Sequence, residues 1–93
     1  MPFVIYCLDK PGAAEIRAAN RSAHLEYISR HESQVLIAGP LLTPDGAGMI
    51  GSLLVMDLAN RSAVDEFCRE DPYAKAGLFQ SVTIMPFRKA FPK

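Results

Sequence analysis

Three apolar runs constrain this chain more than any other feature. FVIYCL (residues 3–8), VLIAGPLL (residues 35–42) and LLVM (residues 53–56) place apolar side chains at successive positions. Neighbouring residues of a strand point to opposite faces. A sheet with one wet face therefore alternates apolar and polar residues. These runs do not alternate, so they predict a sheet that is apolar on both sides.

The rest of the pattern sets the order of elements. FVIYCL closes on the turn DKPG. Neither Pro nor Gly falls between Ala13 and about His31, and this stretch reads as a helix with Gly12 as N-cap and Glu15 in its favourable first turn. A second strand runs over residues 33–42, where Gly39-Pro40 marks a bulge or a strand ending at a sheet edge. Residues 43–51 read as a loop and residues 52–58 as a third strand. NRSAVDEFCRED is a short helix, capped by Asn60 or Ser62, with Val64, Phe67 and Cys68 on one face. Residues 71–77 add one helical turn, with Asp71 as N-cap, Pro72 at the first position and Gly77 as the stop. Residues 80–87 form a last strand.

The order β-α-β-β-α-β is the ferredoxin-like α+β arrangement, a four-stranded antiparallel sheet with both helices on one face. One domain over residues 1–93 is expected, because 93 residues leave no room for two. Two helices cover only one face of the sheet. The same face of a second copy is the simplest cover for the other, and the sequence predicts a homodimer with sheets packed face to face.

Ten basic and ten acidic side chains cancel. Nucleic-acid and anionic-membrane binders need a basic excess, so neither class of partner is expected. The apolar N-terminus lacks the basic region and cleavage site of a signal peptide and reads as a strand. No apolar stretch approaches the ~20 residues of a membrane span. Cys7 and Cys68 lie in separate apolar runs and read as buried thiols in a reducing compartment, which points to the cytoplasm.

On a helical wheel of about 100° per residue, Ile16, Ala19, Ala23 and Tyr27 form an apolar stripe that should face the sheet. Leu25 and Ile28 lie to one side. Arg17, Arg21 and His24 form a basic ridge along one edge of that buried face. A boundary histidine can pack and hydrogen-bond without doing chemistry, and edge arginines are commonly solvated. His31, in the last turn, suits the helix C-terminal dipole. Asp71 is accounted for as a cap, and its second oxygen leaves room for a histidine. Tyr27 and Tyr73 either line a pocket or pack in the core. Residues 43–49, with Gly46 and Gly48, read as a lid or as a long hairpin connection.

Several ordered pieces of the chain together resemble one family. These are FVIYCLDKPGA, R-x-x-H-L at Arg21 and His24-Leu25, AGPL at Ala38 to Leu41, and GS at Gly51-Ser52. DPY-x-x-AGL at Asp71 to Leu78 and V-T-I-M-PFRKAF at Val82 to Phe91 complete them. The chain resembles the YciI-like (YCII-related) proteins of the dimeric α+β barrel superfamily. The resemblance implies a face-to-face dimer and a His–Asp pair in a pocket, mapping onto His24 and Asp71, with Ser52 and Arg21 close by. That family includes an enzyme that removes chloride from a chlorinated hydroxyquinol, and relatives in the superfamily isomerise muconolactone.

Three functions follow. The first is a cofactor-free enzyme doing general acid/base chemistry by elimination, isomerisation or lyase action on a small aromatic or acidic molecule. His24 and Asp71 would be its catalytic pair, with Arg21, Ser52 and Tyr73 binding the substrate. The second is a small-molecule binding or sensing module using the same pocket. The third is a structural or interaction protein with no enclosed pocket at His24. A metal site is disfavoured, since two histidines seven residues apart and two separated cysteines match no zinc pattern.

Overall fold

A computed structural model describes residues 1–93. The first apolar run becomes β1 (Pro2–Asp9), and the stretch free of Pro and Gly becomes α1 (Ala14–Arg30). Ala13, not Gly12, is the α1 N-cap, and it makes no side-chain cap bond. Gly12 instead supplies the left-handed turn, φ +72°, that swings the chain out of β1. A single 3₁₀ turn (Glu32–Gln34) leads into β2 (Val35–Leu42), followed by β3 (Met49–Asp57). Asn60 caps α2 (Arg61–Glu70), its side chain accepting from the Ala63 N–H at 2.9 Å. The one-turn helix α3 (Pro72–Lys75) and β4 (Phe79–Pro86) complete the chain.

The strands lie in the order β2-β3-β1-β4, and every pair is antiparallel. The fold is the expected ferredoxin-like α+β arrangement. Gly39-Pro40 does not interrupt β2. Pro40 pairs within the strand opposite Ser52, which an edge strand allows because one side of it needs no ladder donors. The irregularities fall elsewhere, between Val35 and Ile37 and between Leu41 and Leu42.

Side chains alternate along the central strands. Phe3, Ile5 and Cys7 of β1, with Leu54 and Met56 of β3, face the helices and pack against Tyr27, Val64 and Phe67. Tyr27 also ties α1 to α2, its hydroxyl donating to the Phe67 carbonyl at 2.7 Å. The opposite face is apolar as well. Tyr6, Ile37 and Met85 are 41%, 65% and 56% exposed. Ile37 pairs with Val55 and Met85 with Val4, so these side chains share the face turned away from the helices. No helix is long and apolar enough to cross a membrane.

β3 starts three residues earlier than the sequence reading placed it, and Gly51 shows why a glycine lies inside it. It pairs with Leu8 and Leu41, and a Cβ there would collide with the Cys7 carbonyl oxygen. β1 and β3 can close to this spacing only around a bare Cα. Gly51→Ala should cost about 1–3 kcal/mol of stability in urea denaturation. A change within error would show that the strands shift at no cost.

Candidate active site

α1 turns polar residues toward the sheet. Arg17, His24 and Tyr27 are buried, whereas Ala19 and Ala23 are exposed and Ile16 is half-buried. This corrects the apolar stripe expected from the wheel, of which only Tyr27 is buried. The cause lies in what the sheet offers. Asp9 at the end of β1 and Ser52 in β3 supply acceptors that a guanidinium can use and a methyl group cannot.

Arg17 is 5% exposed and fully engaged on one side. Its Nε donates to Asp9 Oδ2 at 2.7 Å, and its Nη2 donates to Asp9 Oδ1 and to Ser52 Oγ, both at 2.9 Å. Burial works against its charge, but the hydrogen bonds and charge of Asp9 outweigh that, so its pKa rises above the ordinary arginine value. Removing one partner of such a pair costs about 3–5 kcal/mol, because the other charge is left buried alone.

Two turns along the helix, His24 meets α3. The sequence EDPYAKAG folds into that single turn because Asp71 caps it, Pro72 starts it and Gly77, at φ +73°, stops it. The Tyr73 N–H donates to Asp71 Oδ1 at 2.9 Å. His24 Nδ1 lies 2.9 Å from the same oxygen. The cap and the histidine therefore share Oδ1, and do not divide the two oxygens as expected; two lone pairs permit it. An ionised carboxylate only accepts, so Nδ1 donates to it, and Nε2 has no hydrogen-bond partner in the chain. Tyr73 stacks on the imidazole, with centroids 3.9 Å apart and planes 14° from parallel. Its ring also lies 4.7 Å from the Arg17 guanidinium carbon.

These groups line a cavity of about 130 Å³. Arg17, His24, Ser52 and Tyr73 form its polar wall, with Arg21 exposed at the rim. Leu25, Ile28, Pro40 and Leu54 contribute apolar surface. All five residues singled out in the sequence, His24, Asp71, Arg21, Ser52 and Tyr73, thus lie at or beside one cavity. Arg17 and Asp9 were missed in those roles. Asp9 read as a turn residue of DKPG, and Arg17 as a solvated edge arginine. The seven-residue spacing from Arg17 to His24, two helical turns, was the available signal.

The YCII-related domain pattern matches residues 1–88. The chain belongs to the YCII-related domain family. Protein YciI of Escherichia coli O6:H1 is 34% identical over 98 residues, covering 98% of this chain and 100% of that protein. A Haemophilus influenzae protein is equally similar over the same extent. Among solved structures, the 5-chloro-2-hydroxyhydroquinone dehydrochlorinase of Burkholderia phenoliruptrix, in complex with 2,5-dihydroxybenzoquinone, is 34% identical. It superposes with a TM-score of 0.89 over 95% of this chain and 94% of its own. The cofactor-independent oxygenase SnoaB of Streptomyces nogalater shares the fold at 15% identity and a TM-score of 0.60, covering 99% and 96% of the two chains.

Other candidate features of this YCII-related domain fall away from the cavity. His31 donates through Nδ1 to the Tyr27 carbonyl at 2.9 Å and packs edge-on against Phe67. Residues 43–48 bond to themselves: Thr43 N–H donates to the Gly48 carbonyl, and Asp45 accepts from Thr43 and Ala47. Only Met49, at the end of this connection, lines the cavity, and the connection itself is a tight hairpin turn. No three His, Cys, Asp or Glu side chains converge where they would hold a metal ion.

Both cysteines are free. Burial, helped by the charges of neighbouring groups, pushes the Cys7 thiol up to about 12 and the Cys68 thiol up to about 11. Both remain protonated where an unfolded thiol, near 9.0, would ionise. The unfolded chain then binds fewer protons than the folded one, so stability should fall as pH rises from about 9 toward 12. Urea midpoints at about pH 8 and about pH 10 test this. Cys7→Ala should flatten the decline, and an unchanged slope would assign it to other groups.

Proposed function

We propose that this protein is a cofactor-free enzyme that moves protons on a small, one-ring molecule, with His24 as general base and acid. One observation carries the reading: His24 is held by Asp71 on the wall of a cavity of about 130 Å³, with Nε2 unengaged. A cavity of about 150 Å³ is known to hold one benzene molecule, so the size suits a single ring. The likeness to a dehydrochlorinase acting on a chlorinated hydroquinone supports the substrate class.

Nε2 would take the proton of a ring hydroxyl as the electron pair moves into the ring. The imidazolium, stabilised by Asp71, would return the proton to a ring carbon, completing a tautomerisation. Where that carbon bears a halide, deprotonation of a second ring hydroxyl by Nε2 turns that C–O into a carbonyl, the electron pair moves through the ring, and the C–X bond breaks to release halide, for a net loss of HX. Tyr73 fixes the plane of the imidazole, and Arg21 at the rim draws anionic molecules in.

Halide release from 5-chloro-2-hydroxyhydroquinone tests the reading. Wild-type protein should release chloride, and His24→Gln should lower kcat by about 10²–10⁴ while circular dichroism stays unchanged. Undiminished turnover in the variant would remove His24 from the chemistry. Substrate bound and recovered unchanged by the wild type would make the protein a binding module.

The outer sheet face supports a second proposal, that two copies cover each other through it. Tyr6, Ile37 and Met85 lie together there and are too exposed for a face meant to stay in water. Analytical ultracentrifugation at micromolar concentration should give a two-chain species. Replacing Ile37 and Tyr6 with Asp should dissociate it, and a single-chain wild type would overturn the proposal.

A further inference from the structure

Arg17 is more than a structural ion pair. Nε and Nη2 are used by Asp9 and Ser52, and the Tyr73 side chain is the remaining hydrogen-bonding neighbour and takes one proton at most, so at least one Nη1 proton has no acceptor in the chain. No buried side-chain nitrogen or oxygen lacks a hydrogen-bond partner. Arg17, Ser52 and Tyr73 all line the cavity, so the side of the guanidinium that Asp9 leaves open borders it. Ser52 is in the same position. Its Oγ accepts from Nη2 and donates to no group of the chain, so its own proton is free. Ser52 is 3% exposed and lines the same cavity.

We infer that Arg17 Nη1 and the Ser52 hydroxyl form an oxyanion subsite, and that the ligand is a monocyclic phenolate whose negative oxygen is held there. The inference rests on the proposed proton transfer, because the subsite holds the anion that His24 generates. Asp9 is a positioning residue. It grips the far side of the guanidinium by two bonds, which fixes the direction of Nη1 and lets the charged group sit under the helix.

Charge balance points the same way. Arg17 and Asp9 cancel, so the subsite binds through aimed donors and not through surplus charge. Arg21 is exposed at the rim, where solvent weakens its pull. Proton transfer from a ring hydroxyl to His24 makes an anion and a cation at once. The cation meets Asp71 and the anion meets Arg17 and Ser52. No net charge is created in the cavity, and each new charge has a partner already in place.

The test uses the full chain and 4-nitrophenol, whose absorbance reports its ionisation, at a pH where half of the free dye is ionised. Wild-type protein should shift the bound dye to its phenolate spectrum and bind 4-nitroanisole, the neutral ether, at least about tenfold more weakly. Arg17→Lys keeps the charge but loses the guanidinium fork, and should weaken dye binding about tenfold or more. Ser52→Ala should weaken it about threefold to tenfold. Both substitutions should weaken binding of the dye more than binding of 4-nitroanisole, so the dye-to-ether affinity ratio should fall. If Arg17→Lys does not fold, Ser52→Ala and the dye-to-ether ratio decide.

Dye bound as the neutral phenol, dye not bound by the wild type, or equal dye affinity in folded variants would each overturn the subsite. Chloride release, measured in parallel, separates this from the proposed reaction. Phenolate binding that depends on Arg17 in a protein that releases no chloride keeps the subsite and discards the reaction. Chloride release with phenolate affinity unaffected by either variant does the reverse.

Discussion

A positive charge buried under a helix sets the terms for the rest of this structure. Desolvating a guanidinium costs several kcal/mol, and only well-placed acceptors offset it. Asp9 and Ser52 provide them from two adjacent strands. The rotation of α1 about its axis then follows from Arg17. With Arg17 directed at Asp9 on the end of β1 and at Ser52 within β3, His24 faces α3 two turns later, and Tyr27 reaches the Phe67 carbonyl one turn beyond that. An interior made of alanines and isoleucines at these positions would have left the helix free to roll.

The second fixed point is short. In the seven residues from Asp71 to Gly77, one carboxylate oxygen caps a helical turn and orients an imidazole, and the next aromatic stacks on that imidazole. Folding and site geometry are therefore the same interaction at this place. Loss of the Asp71 carboxylate would unpin the turn and the ring together, so its effects on stability and on chemistry cannot be separated by deletion alone.

The fold was legible because its signals are local. Apolar runs, a long stretch without Pro or Gly, and the Asp-Pro to Gly signature of α3 each announce one element. The start of β3 was not legible. Met49 and Ile50 lie between Gly48 and Gly51 and read as loop, and only the close approach of Gly51 to the Cys7 carbonyl explains a glycine in the strand. The pairing of His24 with Asp71 spans 47 positions, and spacing carries no information over that distance. Capping already accounted for Asp71, so residue-level reasoning had no remainder to explain, and the ordered resemblance supplied the pair. Arg17 was hidden by the assumption that an arginine among alanines faces water. Its acceptors are eight and thirty-five positions away, on two different strands.

The protonated thiols have a consequence for the class of molecule proposed here. A dihydroxylated ring that loses two electrons or a leaving group becomes quinonoid, and quinonoid rings are attacked by thiolates. Cys7, beneath the helices, and Cys68, on α2, are both held as neutral thiols by their surroundings. A neutral thiol is a poor nucleophile. The interior that raises their pKa values would thus also shield the chain from arylation if the proposed reaction formed such an electrophile in the cavity.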